Sequence, residues 1–413
     1  TSFNQSRCFG WVIWAILVIN KKTLVTIWLF LFSGGILLST PVFAAINDYV
    51  VKQWNLQNGL PSQSIASIVQ DNNGYIWLGT QFGVSRFDGH KFTNLTTQNT
   101  SFLQSNAVHK LIIDKHGMLW IGTRRGLHRL NPQTLEAQSF YTPGPVRDLL
   151  EDHDGGIWIA SNGLYYISYD AQVINKSKDR LPALSPRKIN QIVGSVTRMA
   201  LSLDGIWLVN EHHLLKIKES SSTSNNEFRL ELASKLSLPR QLAQTIIHDL
   251  SWIDGRLYLA SELGAYFLDI DEVIRRYDEI GNTAVYKFMG DEEGGFWVST
   301  SSELMYRESN GAWQSIRPTQ AEQSIWFSDI FKDREDNIWL GSLNEGLWFA
   351  HSGKVERHQV GPTINQGVTA ITQATDGKVW ASSRLGIGVL NTLGEYQQVL
   401  AMQQLKRRQV FDL

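Results

Sequence analysis

The stretch DNNGYIWLGTQFGVSRFDG, from Asp71 to Gly89, contains the phrase that decides the fold. Strict or loose copies of D-x-x-G-x-x-W occur eight times along the 413 residues. Their aromatic anchors are spaced about 43 residues apart, a period typical of β-propellers with one four-stranded blade per repeat. The anchors are Trp77, Trp120, Trp158, Trp207, Tyr258, Trp297, Trp339 and Trp380.

Each anchor lies in a strand that we expect to be buried on both faces, because both of its neighbours are apolar in every repeat. The third residue after the anchor is Ser or Thr in seven of the eight repeats, with Asn210 the exception. The preceding Asp and Gly predict a tight hairpin, in which Asp bonds to the local backbone and Gly takes a positive φ. We expect the anchoring rings to pack between blades. In the second repeat the predicted strands are Ala107–Ile113, Met118–Thr123, Gly126–Leu130 and Ala137–Tyr141.

Residues 1–44 have the pattern of a secretory signal peptide. A lysine pair at 21–22 precedes an apolar run over 24–38, and the small residue Ala44 stands at the predicted cleavage point. An uncleaved membrane anchor is the alternative, and under either interpretation the chain from residue 45 onward is exported. The single cysteine, Cys8, lies in this segment, so the exported part must rely on its core rather than on disulfides.

The charge of the exported part argues against a nucleic-acid partner. Segment 1–44 holds three basic residues and no acidic one, which leaves 35 basic against 39 acidic residues and a net charge of −4. A protein that binds the phosphate backbone needs an excess of basic residues.

The repeats also predict the division of the chain. After segment 1–44, residues 45–360 are expected to form a first β-propeller of about seven blades. Residues 361–413 then hold an eighth repeat and the start of a ninth, at the beginning of a second propeller. In a seven-bladed ring the strand near Tyr49–Trp54 completes the last blade; an eight-bladed ring is the competing count. Because the last residues resemble the first strand of another blade, we expect the chain to be a fragment.

The phrase at Asp71–Gly89, with the preceding segment Trp54–Ile65, resembles the two-component regulator propeller repeats of large bacterial sensors. The resemblance covers residues 46–413. It implies two seven-bladed propellers, an immunoglobulin-like domain, a transmembrane helix and a cytoplasmic histidine kinase or GGDEF diguanylate cyclase. It therefore implies a location on the periplasmic side of the inner membrane, held by the N-terminal segment and a later helix. A homodimer is left open.

A candidate ligand site lies in the hairpins between the second and third strands, which gather on one face of a propeller. Their charged and amide side chains suit a small polar ligand such as an oligosaccharide, although solvated turn residues are the alternative. The candidate residues are Gln81, Arg124, Arg125, Asn162, Glu211, His212, Glu262, Asn344 and Arg384.

No catalytic, metal or cofactor motif stands out in the sequence. The neighbours His212 and His213 would point to opposite faces of a strand, so they are poorly placed to chelate together. The leading hypothesis is therefore the ligand-sensing part of a signalling protein. Alternatives are an exported propeller enzyme such as a lyase, with His212 as its candidate acid or base, and a scaffold for protein complexes.

Overall fold

Eight four-stranded antiparallel sheets make up the described part of the chain in this computed structural model. Segment 1–44 lies outside the described residues, so the signal peptide stays a prediction. The described residues are 49–168, 184–219, 230–316, 325–352, 368–374, 378–383, 386–390 and 396–401.

Seven of the eight sheets take their strands in chain order, and six of these belong to the closed ring described below. The first three are β2–β5 (Ile65–Gln70, Ile76–Thr80, Gly83–Phe87, Phe92–Leu95), β6–β9 (Val108–Ile113, Leu119–Thr123, Gly126–Leu130, Ala137–Phe140) and β10–β13 (Asp148–Glu151, Ile157–Ser161, Gly163–Ile167, Arg187–Ile189). The next three are β14–β17 (Val196–Ser202, Gly205–Asn210, His213–Glu219, Leu230–Ser237), β18–β21 (Ile247–Ile253, Arg256–Ser261, Gly264–Leu268, Ile274–Arg276) and β22–β25 (Val285–Gly290, Phe296–Thr300, Leu304–Arg307, Trp313–Ile316).

The seventh sheet combines both ends of a ring. Its strands are β26 (Phe327–Lys332), β27 (Ile338–Ser342), β28 (Leu347–Ser352) and, outermost, β1 (Tyr49–Trp54). The innermost strands contact one another in succession from β2 through β6, β10, β14, β18 and β22 to β26, which contacts β2. Seven blades therefore close the ring, and the predicted all-β propeller of four-stranded blades is confirmed.

An eighth sheet and three short helical segments complete the described structure. The sheet contains β29–β32 (Val368–Gln373, Val379–Ser383, Gly386–Leu390, Tyr396–Ala401). A short helix α1 (Arg240–Ala243) lies between the fourth and fifth blades, and 3-10 turns span Leu56–Asn58 and Asp278–Ile280. The division at residue 360 into a first and a second propeller remains a prediction.

The repeated Asp and Trp belong to one hydrogen-bonded unit. In the first blade, Asp71 Oδ1 accepts from the backbone N–H groups of Asn73 at 2.9 Å and Tyr75 at 3.1 Å. Its Oδ2 accepts from the indole Nε1 of Trp77 at 2.7 Å, and Gly74 takes φ 87°. The same indole-to-carboxylate bond recurs in three other blades, for Trp120, Trp158 and Trp339. The carboxylate thus fixes both the hairpin and the ring that follows it.

Apolar clusters between neighbouring blades form the core. Trp77 of the first blade is fully buried against Leu111 and Ile121 of the second. At the closing seam Trp54 and Trp339 of the seventh blade both pack against Phe87 of the first, with ring centroids 4.9 and 6.0 Å from it. The expected packing role is therefore seen directly for the anchors of the seven blades, whose side chains fill the wedges between sheets.

Candidate functional site

A β-bulge re-aims one residue of the innermost strand toward the axis of the ring. In six of the seven blades the pairing between the first and second strands shifts at the second residue of the innermost strand. Bulges commonly redirect a side chain in this way. In the third blade Arg147, just before β10, takes the same place and donates its N–H to Ala160 O at 2.8 Å. The seven residues at this level are Ala66, His109, Arg147, Thr197, His248, Tyr286 and Ser328.

These seven residues line a cavity of about 540 Å³ at the mouth of the axis, which we call the axial mouth. All seven blades contribute to its wall. The fourth blade adds Arg198, Val209 and Glu211, and the connection after α1 adds Ile246. A volume of several hundred Å³ is the size of a small-molecule site.

Two guanidinium groups give the axial mouth its positive charge. Arg147 Nη1 donates to Ser195 Oγ at 2.7 Å and to Asn162 Oδ1 at 3.3 Å. Arg198 Nη1 donates to the backbone oxygen of Thr197 at 2.7 Å, and its Nε donates to the backbone oxygen of His248. These bonds hold both side chains in place before any ligand arrives.

The two histidines of the axial mouth differ in their partners. His109 Nδ1 lies 3.0 Å from the backbone oxygen of Val146, so this nitrogen must carry the proton of a neutral ring. Burial lowers the pKa of His109, and the nearby guanidiniums of Arg198 and Arg147 lower it further. Burial also lowers the pKa of His248, although Glu262, 2.9 Å from its Nε2, opposes that shift.

Below the axial mouth lies a second level of residues, which we call the charge ring. One residue per blade contributes: Ser67, Lys110, Asp148, Arg198, Asp249, Lys287 and Asp329. Around the ring the charges alternate, apart from the serine. Every seam between neighbouring blades is bridged by one of these side chains, so the charge ring ties the blades together around the axis.

The bridges are of three kinds. Lys110 Nζ lies 3.4 Å from Asp148 Oδ1, and Lys287 Nζ lies 2.9 Å from Asp329 Oδ1. The carboxylates and Ser67 accept backbone N–H groups of the next blade: Met199 to Asp148 at 2.8 Å, Phe288 to Asp249 at 3.3 Å, Ile68 to Asp329 at 2.7 Å and Leu111 to Ser67 at 3.1 Å. The remaining seam is bridged by the Arg198 side chain.

Burial and charge oppose each other at this level. Burial disfavours the charged form of Lys287, but the carboxylates of Asp329 and Asp249 outweigh it and raise the pKa of Lys287. Burial likewise opposes the charged form of Asp249, yet Lys287 and Lys110 hold the pKa of that carboxyl below its ordinary value. Lys287 and Asp249 are therefore both charged near neutral pH.

The residues proposed from sequence lie on the same face as the axial mouth but mostly outside it. Their hairpins bond to the segments that lead into the innermost strands, as Arg124 N does to Ala107 O at 2.9 Å. Of the eight described candidates Glu211 lines the cavity. Asn162 and Glu262 contact cavity residues, because they bond to Arg147 and His248.

The other described candidates do not line the cavity. Asn344 Oδ1 accepts the backbone N–H of Trp326 at 3.2 Å. The exposed hairpin positions are those of Gln81, Arg124, Arg125 and His212. Arg384 lies outside the described residues. None of these positions is tested as a ligand contact, so the set stays a prediction.

Sequence reasoning missed the residues that do line the axial mouth. A usable signal was present, since each of the seven lies eleven residues before its anchor, or ten in the fourth and fifth repeats. Their identities vary from Ala to Arg, so the repeats show no common residue type at this position.

The described residues show neither a metal cluster nor a membrane-spanning helix. No group of three or more His, Cys, Asp or Glu side chains in these segments could hold a metal ion. Likewise, no helix in the described ranges is long and apolar enough to cross a bilayer.

The fold and the cavity define a class, a seven-bladed β-propeller with a ligand-sized opening on its axis. The family model described as two component regulator propeller matches residues 59–82, 103–125 and 141–163. The chain therefore carries two component regulator propeller repeats. No curated protein matches the sequence.

Several solved structures share the fold. The extracellular domain of a hybrid two component system from B. thetaiotaomicron is 17% identical, with a TM-score of 0.57 over 86% of this chain and 49% of that one. A one component system domain from the same organism is 18% identical, with a TM-score of 0.55 over 85% and 48%. Virginiamycin B lyase from Staphylococcus aureus is 14% identical, with a TM-score of 0.55 over 73% and 99%. The chain thus spans about half the length of the two sensor domains.

Proposed function

We propose that this chain is the extracytoplasmic, ligand-sensing propeller region of a membrane-bound bacterial signalling protein. The observation that carries the proposal is the axial mouth, whose wall includes a residue from every blade of the ring. A ligand bound there contacts all seven blades at once. The output would be a histidine kinase or a GGDEF diguanylate cyclase elsewhere in the protein.

The repeat family and the neighbours support this role. Three segments match the two component regulator propeller model, and two of the solved structures with this fold are extracellular domains of signalling systems. The apolar pattern of residues 1–44 supports export and attachment on the periplasmic side of the inner membrane.

Sensing requires a ligand that favours one packing of the protein over another. The structure offers a route, because Arg198 belongs both to the axial mouth and to the charge ring. A ligand that engages its guanidinium acts on the seams between the third, fourth and fifth blades. A change in blade packing would then reach the output part of the protein.

Export is tested by fusing alkaline phosphatase after Ala401, because this enzyme is active only where disulfides can form. We expect activity in cells that produce the fusion with residues 1–44 and none when that segment is deleted. Activity that is absent from both fusions, or equal in both, would contradict the proposed location.

A second candidate is an exported lyase. Two histidines line the axial mouth, and the structural match extends over 99% of the virginiamycin B lyase chain. His248, paired with Glu262, replaces His212 as the candidate base. Incubation with virginiamycin B and mass spectrometry of the product tests this. An enzyme would lose turnover in His248→Ala and keep it in His212→Ala, whereas the sensor gives no product.

A further inference from the structure

We infer that the axial mouth recognises a small monocarboxylate with an apolar body, rather than a neutral oligosaccharide. This rests on the proposed function only in that a ligand binds at the axial mouth. Three features carry it: the supply of guanidinium donors, the net charge of the lining, and an aliphatic wall on one side.

The donors come from adjacent blades. Arg147 and Arg198 both line the cavity, and none of the described residues accepts a hydrogen bond from the Nη2 of either side chain. Nη1 of both side chains and Nε of Arg198 are already bonded to the protein, so the two groups are oriented in advance. Guanidinium groups bind carboxylates with charge-assisted bonds that are stronger than neutral ones.

The charge of the lining matches one negative charge. Two guanidiniums contribute +2 and Glu211 contributes −1, so the lining has a net charge of +1 when its histidines are neutral. Glu262, whose Oε1 lies 2.9 Å from His248 Nε2, stands outside the lining. A monoanion neutralises this surplus, whereas a neutral sugar would leave it uncompensated.

One side of the axial mouth is aliphatic. Leu242 of α1 is fully buried, and Ile246, just before the fifth blade, is 60% exposed at the rim. Ile247 and Val209 complete this wall. Exposed aliphatic groups that line a concave site gain when an apolar ligand covers them. A polyhydroxylated ring would lose water there without gaining hydrogen bonds.

The test is isothermal titration calorimetry at low salt with matched acids and amides. The probes are phenylacetate and hexanoate, their neutral amides, D-glucuronate as a polar carboxylate, and cellobiose as a neutral sugar. We expect both apolar acids to bind at least about tenfold more tightly than their amides and than D-glucuronate. This comparison uses the unaltered chain, so it does not depend on a variant folding.

A variant pair then locates the site. Arg147→Gln should weaken binding of phenylacetate at least about tenfold. Arg334→Gln, an exposed arginine in a hairpin between the first and second strands, removes the same charge and should leave binding unchanged. Melting curves by circular dichroism check that both variants fold. Arg147→Lys keeps the positive charge but lacks the paired N–H donors of the guanidinium group, so it should recover part of the affinity that Arg147→Gln loses.

Other results would overturn the inference. Equal affinity for an acid and its amide would show that the guanidinium groups do not select a carboxylate. Tighter binding of D-glucuronate than of the apolar acids would show that the site does not select an apolar body. If neither apolar acid binds, both parts of the inference fail. Tight binding of cellobiose would also overturn it, yet would leave the proposed ligand-sensing role standing. The proposed function fails separately, through the phosphatase fusion.

Discussion

Removing the carboxylate of Asp71 should destabilise the first blade, because this side chain bonds to both the hairpin backbone and the indole of Trp77. The carboxylate is 1% exposed and accepts three N–H groups, at 2.9, 3.1 and 2.7 Å. Hydrogen bonds to charged groups contribute about 1.5–3 kcal/mol each, and a buried donor left without a partner costs about 1–3 kcal/mol. Because water can reach the turn, we expect Asp71→Ala to lower the free energy of unfolding by about 3–5 kcal/mol.

A double-mutant cycle isolates the indole bond. Trp77→Phe removes the donor, so the coupling between Asp71→Ala and Trp77→Phe should be about 2 kcal/mol. The measurement is guanidinium unfolding followed by far-ultraviolet circular dichroism.

The matched control is Asp88→Ala. Asp88 accepts the N–H groups of His90 and Lys91 at 2.9 and 2.8 Å in an exposed turn, with no indole partner. We expect it to cost clearly less than Asp71→Ala. Equal losses in the two variants, or a coupling near zero, would refute the account of the repeated Asp and Trp.

Three further outcomes are expected from unfolding measurements. Lys287→Met should cost about 3–5 kcal/mol, because it leaves Asp329 and Asp249 buried without their cation, whereas Lys332→Ala should cost less than about 1 kcal/mol, because Lys332 pairs at the surface. Trp54→Ala should cost about 3–5 kcal/mol, because this buried ring packs against Phe87 across the last seam. Burial lowers the pKa of His128 to about 4, so folding should lose on the order of 3 kcal/mol as the pH falls from about 6.5 to 4.

The protein should lose stability as the pH falls, because folding lowers the pKa of His128. The unfolded chain takes up a proton at His128 near its ordinary pKa, while the folded chain resists it until about pH 4. The neutral His128 therefore makes its full contribution to the free energy of unfolding above about pH 6.5. In His128→Leu the free energy of unfolding should fall less steeply below that pH. An unchanged slope in that variant would contradict this assignment.

Equal losses in Lys287→Met and Lys332→Ala would likewise refute the role of the charge ring.

Much of the fold could be predicted because its determinants are local. The Asp turn, the buried strand and the next hairpin lie within one stretch of residues, and the predicted strands of the second blade agree with the structure to within one residue. The Ser or Thr after the anchor proved to have a local role as well. Thr80 Oγ1 and Thr123 Oγ1 each donate across their hairpin, to Gly83 O and Gly126 O at 2.9 Å.

The axial mouth could not be predicted in the same way, because it is assembled from seven separate strands. A bulge at the second residue of the innermost strand turns His109 or His248 toward the axis, and no alternation of apolar and polar residues announces it. The hairpins chosen from sequence join the second and third strands, which lie farther from the axis. From these hairpins Glu211 of the fourth blade and Leu343 of the seventh line the cavity.

The most direct test of the signalling role is the coding DNA that follows the codon for Leu413. The account predicts an open frame with more D-x-x-G-x-x-W repeats, an apolar span and a histidine kinase or diguanylate cyclase domain. A stop codon within the length of one blade would contradict it and favour the free-standing enzyme.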